Sequence, residues 1–356
     1  MTLDSIARRP LRAASLYYKA RRRFYHRTAT KRQVVASRVG FYRAVWDEAA
    51  AQCNGTVTAL EGRLLEIRCG DVVLRTRTNL TSLDDQITVA VADDKPLVYR
   101  LFAARGLPVP PHVVCAADDL GSAWAFARSL GRPCVVKPAQ ASGAIGITTG
   151  VRTRWELVKA LAYGGAFGSD LLVEEMVVGG IYRLLYLDGE LLDAVRRDPP
   201  TVTGDGDATI EVLVEAENAR RLAGGIEACQ SLIKVDGELK HTLRRAGRSL
   251  RTVPAAGEVV LIKNVVNDNR REDNVPATDQ LCAEVVRAGA EAAAAVGTRL
   301  AGVDIITPDP SRPLADVGGV VIEVNQSPGY YYHYYRRDGR VPVATLILER
   351  LMKAAS

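Results

Sequence analysis

Four apolar runs in this chain each carry a charge or an amide that a core strand has no use for. CVVKPA holds Lys137, LLVEEMVV holds Glu174 and Glu175, GVDII holds Asp304, and VIEVN holds Glu323 and Asn325. Runs of this kind fold as strands covered on both faces. A charge buried there without a partner is costly, so each of these groups needs one. A nucleotide with its metal ions would serve them all. A lysine after a strand neutralises phosphate as a point charge. The small-residue loop QASGAIGITTG, directly after Lys137, lets backbone N–H groups approach a polyphosphate. Asp304, Glu323 and Asn325 form a hard-oxygen set suited to Mg²⁺.

The rest of the chain alternates helical and strand-like runs, which predicts an α/β fold in layers. Helices are expected at 34–53, 94–104, 120–130, 154–163, 210–219, 279–296 and 343–353, and a hairpin turning at Asp188-Gly189. ITVAV, at 87–91, reads as a strand, and 230–265 as mostly strands and turns. At 356 residues the chain can bury a sizeable core in two or three units. No run of about 18 apolar residues suggests a membrane span. The six cysteines form no Cys-x-x-Cys pair, which fits small buried side chains in a reducing cytoplasm.

The net charge of +6 is local in origin: residues 1–33 carry ten Lys or Arg against Asp4 alone, which leaves the remainder at −3. This basic arm has two readings, a solvated extension or an amphipathic helix that touches an anionic membrane or nucleic acid. The expected organisation is the arm at 1–33, a small α/β unit at 34–92 and a main unit at 93–353, itself divided near 175.

ASGAIG lacks the Gly-Lys-Ser/Thr ending of a Walker A loop, and no HRD or DFG triplet marks a kinase. The order DDKPLVYRLFAARGLPVP, VVKPAQASGAIGI, LLVEEMVVGGIYRLL, RRDPPTVTGDGDATIEVLVE, VPAAGEVVLIKN, AGVDIITPDPSRPL, VIEVNQSPG resembles the ATP-grasp superfamily of carboxylate–amine ligases, within it the ATP-grasp half of cyanophycin synthetase. The resemblance runs over about 93–350 and implies an ATP-grasp fold and two Mg²⁺ ions, with Mn²⁺ as a substitute. It implies that Lys95 and Lys137 contact ATP phosphates, that Ser142, Gly143 and Gly146 form the phosphate lid, and that Glu174 and the backbone at Val177 bind adenine. Asp304, Glu323 and Asn325 would hold the metal ions. Arg183, Arg197 and Asn264 would act near the phosphates and the acyl intermediate. Ile181 stands where the family has an acid for the ribose, with Glu175 as a candidate substitute, and Ala141 and Ala144 replace usual glycines.

After Asn325 the chain runs QSPGYYYHYY. The family pattern implies that Tyr330, Tyr331, Tyr332 and His333 line the site where the amine substrate arrives. The competing reading is that the tyrosines fill a core or a subunit contact, and that His333 is a half-exposed loop residue rather than a base. The expected activity is ligation of an amino-acid carboxylate to an amine, giving ADP and phosphate, by a stand-alone enzyme, with a homo-oligomer left open. A different acceptor, or a non-catalytic nucleotide-binding module, stays open.

Overall fold

A computed structural model describes residues 29–141, 143–224 and 231–355. Residues 1–28 of the basic arm, and Ser142, lie outside the described residues. The chain opens with helix α1 (Ala29–Gln52), then an antiparallel meander of β1 (Thr56–Ala59), β2 (Leu64–Cys69), β3 (Val72–Arg77) and β4 (Leu80–Thr81). Two helices follow, α2 (Gln86–Asp93) and α3 (Lys95–Ala104). The run read as a strand at 87–91 is therefore helical. Asp85 accepts from the N–H groups of Ile87 and Thr88 and starts the helix, and its apolar face joins the core around α3, so tertiary burial overrides the β-branched residues. Asp94 caps α3 and Pro96 occupies its first turn, as the sequence predicts.

A four-stranded antiparallel sheet comes next, from β5 (His112–Ala116), β6 (Cys134–Pro138), β7 (Thr148–Val151) and β8 (Asp170–Glu175), in the order β5-β8-β6-β7. Helices α4 (Leu120–Leu130) and α5 (Arg154–Gly164) cover one face; Val136, Leu171 and Val173 point into that core. A five-stranded sheet carries the rest of the site. Its strands are β9 (Gly180–Leu187), β10 (Glu190–Arg197), β13 (Asn274–Pro276), β14 (Leu300–Thr307) and β15 (Val320–Asn325), in the order β13-β10-β9-β14-β15. Between β10 and β13 the chain forms a lobe with its own small core, built from β11 (Thr201–Thr203), α6 (Ile210–Ala223), α7 (Gly237–Arg245) and β12 (Val259–Leu261). Helix α7 falls where strands and turns are expected; its sequence GELKHTLRR is polar, but Asp236 caps it and Leu239 and Leu243 anchor it.

Helix α8 (Ala283–Val296), with α2 and α3, covers one face of the large sheet through Tyr182, Leu184, Tyr186, Val303, Ile305, Val321 and Val324. On the other face, Leu185, Leu187, Val195 and Leu300 share one core with α1, the meander, the tyrosine run and the last helix, α11 (Val343–Ala355). The short helix α9 (Leu314–Val317) lies in the β14–β15 connection, and α10 (Tyr331–Tyr334) is the tyrosine turn itself. The N-terminal unit is thus packed into the main body rather than closed on a core of its own.

Two register shifts set which side chains face which way. Asp304 pairs with Glu323 but Ile305 pairs with Val321, so Ile322 is an extra residue in β15. Likewise Tyr186 pairs with Leu191 and Leu185 with Asp193, which makes Leu192 extra in β10. Each bulge sends the apolar residue before it toward α8 and the polar residues after it to the opposite face.

Candidate active site

The large sheet lays its charges out by register. Arg183 on β9, Asp304 on β14 and Glu323 on β15 lie directly opposite one another across three neighbouring strands. Arg183 grips Asp304 with two bonds, Nε to Oδ1 at 2.6 Å and Nη2 to Oδ2 at 2.7 Å, with both side chains buried. Burial alone would lower the Arg183 pKa; Asp304 outweighs it and holds the guanidinium above its ordinary range. Asn325 sits one step along β15 and donates through Nδ2 to the Gly302 carbonyl at 3.1 Å and to Asp304 Oδ2 at 3.4 Å. Its Oδ1 has no partner among the described residues.

On the small sheet, Val135 pairs with Glu174 and Lys137 with Leu172, so the alternation puts Lys137 and Glu174 on one face. They meet at 2.8 Å, both almost fully buried. Tyr99 of α3 completes the group. It accepts from Lys137 Nζ at 3.0 Å and donates to Glu174 at 2.9 Å. Burial, then the charge of Glu174, pushes the Tyr99 pKa well up, so the phenol keeps its proton for that bond. His112 lies opposite Glu174 on β5, and its ring stands edge-on to Tyr99 at 4.9 Å. Neither Tyr99 nor His112 is a candidate from sequence. Tyr99 follows Lys95 by one helical turn, and that spacing is the signal that could have found it.

Lys95 joins the two sheets. It begins α3; its N–H donates to the Ala139 carbonyl at 3.2 Å, its Nζ bonds the Ala141 carbonyl, and the same Nζ lies 3.5 Å from Glu323. In the adjoining loop Gly143, Ala144 and Gly146 have φ of 71°, 55° and 78°. The N–H groups of Gly143, Ala144 and Ile145 have no hydrogen-bond partner among the described residues, an arrangement that suits an anion. Gly146 is required on steric grounds too, since a Cβ there would lie 2.8 Å from Phe167 and 2.9 Å from Pro138.

Arg197 differs from Arg183. It is 1% exposed, yet no carboxylate among the described residues pairs with it. One Nη donates to the Val266 carbonyl at 3.1 Å and to Asn267 Oδ1 at 3.4 Å, Nε is buried without a partner among the described residues, and the guanidinium stacks 3.8 Å above the centroid of Tyr332. Arg183 lies 5.7 Å from the same ring. A buried cation held by carbonyl oxygen and an aromatic face has an incomplete environment, and an anionic ligand would complete it.

Several expectations divide here. Tyr332 does face both arginines. Tyr330 does not: it is fully buried against Tyr42 and Trp46 of α1, with ring centroids at 5.4 and 5.8 Å. Tyr331 stacks on Tyr332 at 3.9 Å. His333 is fully buried rather than half exposed, and its Nδ1 lies 2.7 Å from Asp193, which also accepts from Arg336 at 2.8 Å and Thr278 at 3.0 Å. Glu175, the candidate for the ribose, alternates to the other face of β8 and pairs with Arg132 at 2.8 Å, away from Lys137. Val177 lies half buried after β8, with no backbone hydrogen bond among the described residues, which leaves its N–H and C=O open to a planar ring. Asn264 joins neither arginine; it belongs to the seam between β7 and α7, where its Nδ2 donates to Thr149 at 3.0 Å and to Thr242 at 3.3 Å.

The donor set fits a hard divalent cation. Among the described residues no three His, Cys, Asp or Glu converge, so the third oxygen would be the amide of Asn325. Arg183 takes one lone pair from each Asp304 oxygen; the second on Oδ2 meets Asn325 Nδ2 at 3.4 Å, and the second on Oδ1 is left. Glu323 is partly exposed and lies 3.5 Å from Lys95 Nζ. Mg²⁺, or Mn²⁺, suits such oxygen ligands and retains waters beside two carboxylates.

No family model matches the chain. It is 32% identical over 280 residues to cyanophycin synthetase of Trichormus variabilis, covering 78% of this chain and 31% of that protein. It is 28% identical over 289 residues to the glutathione biosynthesis bifunctional protein of Enterococcus faecalis, covering 77% and 37%. The chain thus spans about a third of the length of the curated relatives it matches. Among solved structures it is similar to a bifunctional glutathione synthetase from Pasteurella multocida, with a TM-score of 0.56, 23% identity, and 88% of this chain against 44% of that one. With these likenesses and the two sheets that enclose the charged residues, the chain belongs to the ATP-grasp superfamily, close to cyanophycin synthetase.

Proposed function

We propose that the chain is an ATP-dependent carboxylate–amine ligase acting on amino acids or short peptides and releasing ADP and phosphate. The observation that carries this reading is the bridging position of Lys95. One ammonium group touches the phosphate-type loop at Ala141 and the carboxylate of Glu323, so the two charged groups share one cleft.

Each residue then has a task. Lys137 pairs with Glu174 and Tyr99, and the ammonium is positioned to exchange part of that pairing for phosphate oxygen. The N–H groups of 143–145 would take further phosphate oxygens, and Val177 would offer its backbone to the base. Asp304, Glu323 and Asn325 would hold Mg²⁺, which neutralises charge on the transferring phosphoryl group. Arg197, and the free edge of Arg183, attract the substrate carboxylate and stabilise the oxyanion that forms when the amine attacks the acyl phosphate. The loop at 143–146 and the small sheet exclude water, which would otherwise hydrolyse that acyl phosphate.

The test is ATP-dependent phosphate release across a panel of amino-acid pairs, with mass analysis of products. Stimulation by one pair and a product lighter by one water than the sum of its parts is expected. If no pair stimulates ADP formation, or if Asn325→Ala retains full turnover, the reading fails.

A further inference from the structure

A groove of about 370 Å³ opens between the last turn of α7 and β12, lined in part by Thr242, Arg245, Arg248, Val259, Leu261 and Asn264. A relay at its base orients Asn264. Glu238, 1% exposed, accepts from the Thr149 N–H at 2.9 Å, from the Thr149 hydroxyl at 2.6 Å and from the Thr242 hydroxyl at 3.4 Å. Both hydroxyl protons are committed to the carboxylate, so both hydroxyl oxygens are left to accept. Asn264 Nδ2 donates to the two of them. This fixes the amide with its nitrogen inward and leaves Oδ1, which has no partner among the described residues, available in the groove.

The walls add charge and apolar surface. Arg245 gives one bond to Glu156 at 3.3 Å, and Arg248 bonds Glu258 through one Nη. Each keeps further N–H donors of its planar fork. Val259 and Leu261 are 64% and 38% exposed beside them. A ligand that matches all three features has an anionic end for the arginines, an N–H for Asn264 Oδ1, and an apolar portion. A carboxylate joined by a short link to an amide or amine N–H has that pattern.

We propose that this groove binds the carboxylate end of an amino acid or peptide, and that Glu238 is the positioning residue that presents Asn264 to it. That the bound molecule is the ligase's amine substrate rests on the function proposed above; that the groove binds it does not.

Binding is therefore tested without turnover. Alanyl-leucine and alanyl-leucinamide are titrated into the full chain, followed by calorimetry and by the NMR signals of arginine Nε–H and asparagine side-chain NH₂ groups. The acid is expected to shift the signals of Arg245, Arg248 and Asn264, and to bind at least about tenfold tighter than the amide, the size expected of a charged hydrogen bond. Arg248→Met should remove that preference. Glu238→Gln should move the Asn264 NH₂ signal and weaken the acid by about fivefold, less than the loss of a full charged bond. Equal binding of acid and amide, no shift at the groove signals, or an Arg248→Met variant that still prefers the acid would overturn the proposal. So would inorganic phosphate shifting the same signals more strongly than the acid. Failure of every pair to release ADP would instead count against the ligase reading and leave this result standing.

Discussion

Arg183 and Arg197 occupy one face of the sheet, yet their removal should have opposite effects on stability. Arg183 neutralises buried Asp304, so Arg183→Met leaves a carboxylate without its partner and should cost about 3–5 kcal/mol. Arg197 has no such partner among the described residues, so Arg197→Met removes an incompletely satisfied cation and should leave the melting temperature unchanged or raised. On the proposed mechanism turnover should fall at least about a hundredfold in both, the scale of losing one oxyanion donor. Thermal denaturation beside ADP release checks the pair; a strongly destabilised Arg197→Met would show the guanidinium is structural. Asp193 sets a pH dependence. Burial raises its pKa, but His333, Arg336 and Thr278 outweigh that and hold it below the usual carboxylate value. A depressed pKa contributes stability above the unfolded-state value of about 3.9 and loses it as pH falls through the lower folded value. Asp193→Asn should therefore lose stability at neutral pH and show a shallower decline below about pH 4, measured by urea unfolding across pH.

At the scale of elements, the sequence reveals what is local and hides what depends on pairing. Helix 120–130 and the Asp188-Gly189 hairpin are visible because caps, turn residues and periodicity agree. The Lys137 and Asp304 strands are visible because a charge interrupts an apolar run. Tyr99 and His112 are not, because they meet Glu174 only after α3 and β5 are laid beside β8. The tyrosine run could not be resolved by composition, since one segment does both jobs: Tyr330 anchors the core against α1 while Tyr332 faces the arginines. Trp46 is the test of that division. It is fully buried under Tyr330, so Trp46→Ala should cost about 3–5 kcal/mol of stability. It should also reduce turnover through displacement of Tyr332, seen as a raised KM for the amine with the KM for ATP little changed.

For the whole molecule, the cleft between the two sheets carries two pairs that a ligand would replace, Lys137 with Glu174 on the small sheet and Lys95 of α3 with Glu323 of the large one. A nucleotide that binds both sides should stabilise the fold by mass action, about 2.7 kcal/mol at 100 times its Kd. A non-hydrolysable ATP analogue with Mg²⁺ should raise the melting temperature, and Lys137→Met should abolish the rise. An unchanged response in that variant would remove Lys137 from the nucleotide site. No helix among the described residues is long and apolar enough to cross a membrane.

The extra residue Ile322 has a consequence for how such a site can change. In an unbroken strand one phase governs every side chain, so any slip that moves Glu323 also moves Val321. The bulge splits β15 into two separately phased halves. Substitutions and small adjustments around Glu323 and Asn325 can then accumulate without turning Val321 out of the hydrophobic layer. Deleting Ile322 should couple the halves again and force the chain to choose between a correct interior and a correct cleft. The bulge in β10 at Leu192 does the same for Arg197, so the charged surface of the cleft and the interior beneath it are free to evolve on separate schedules.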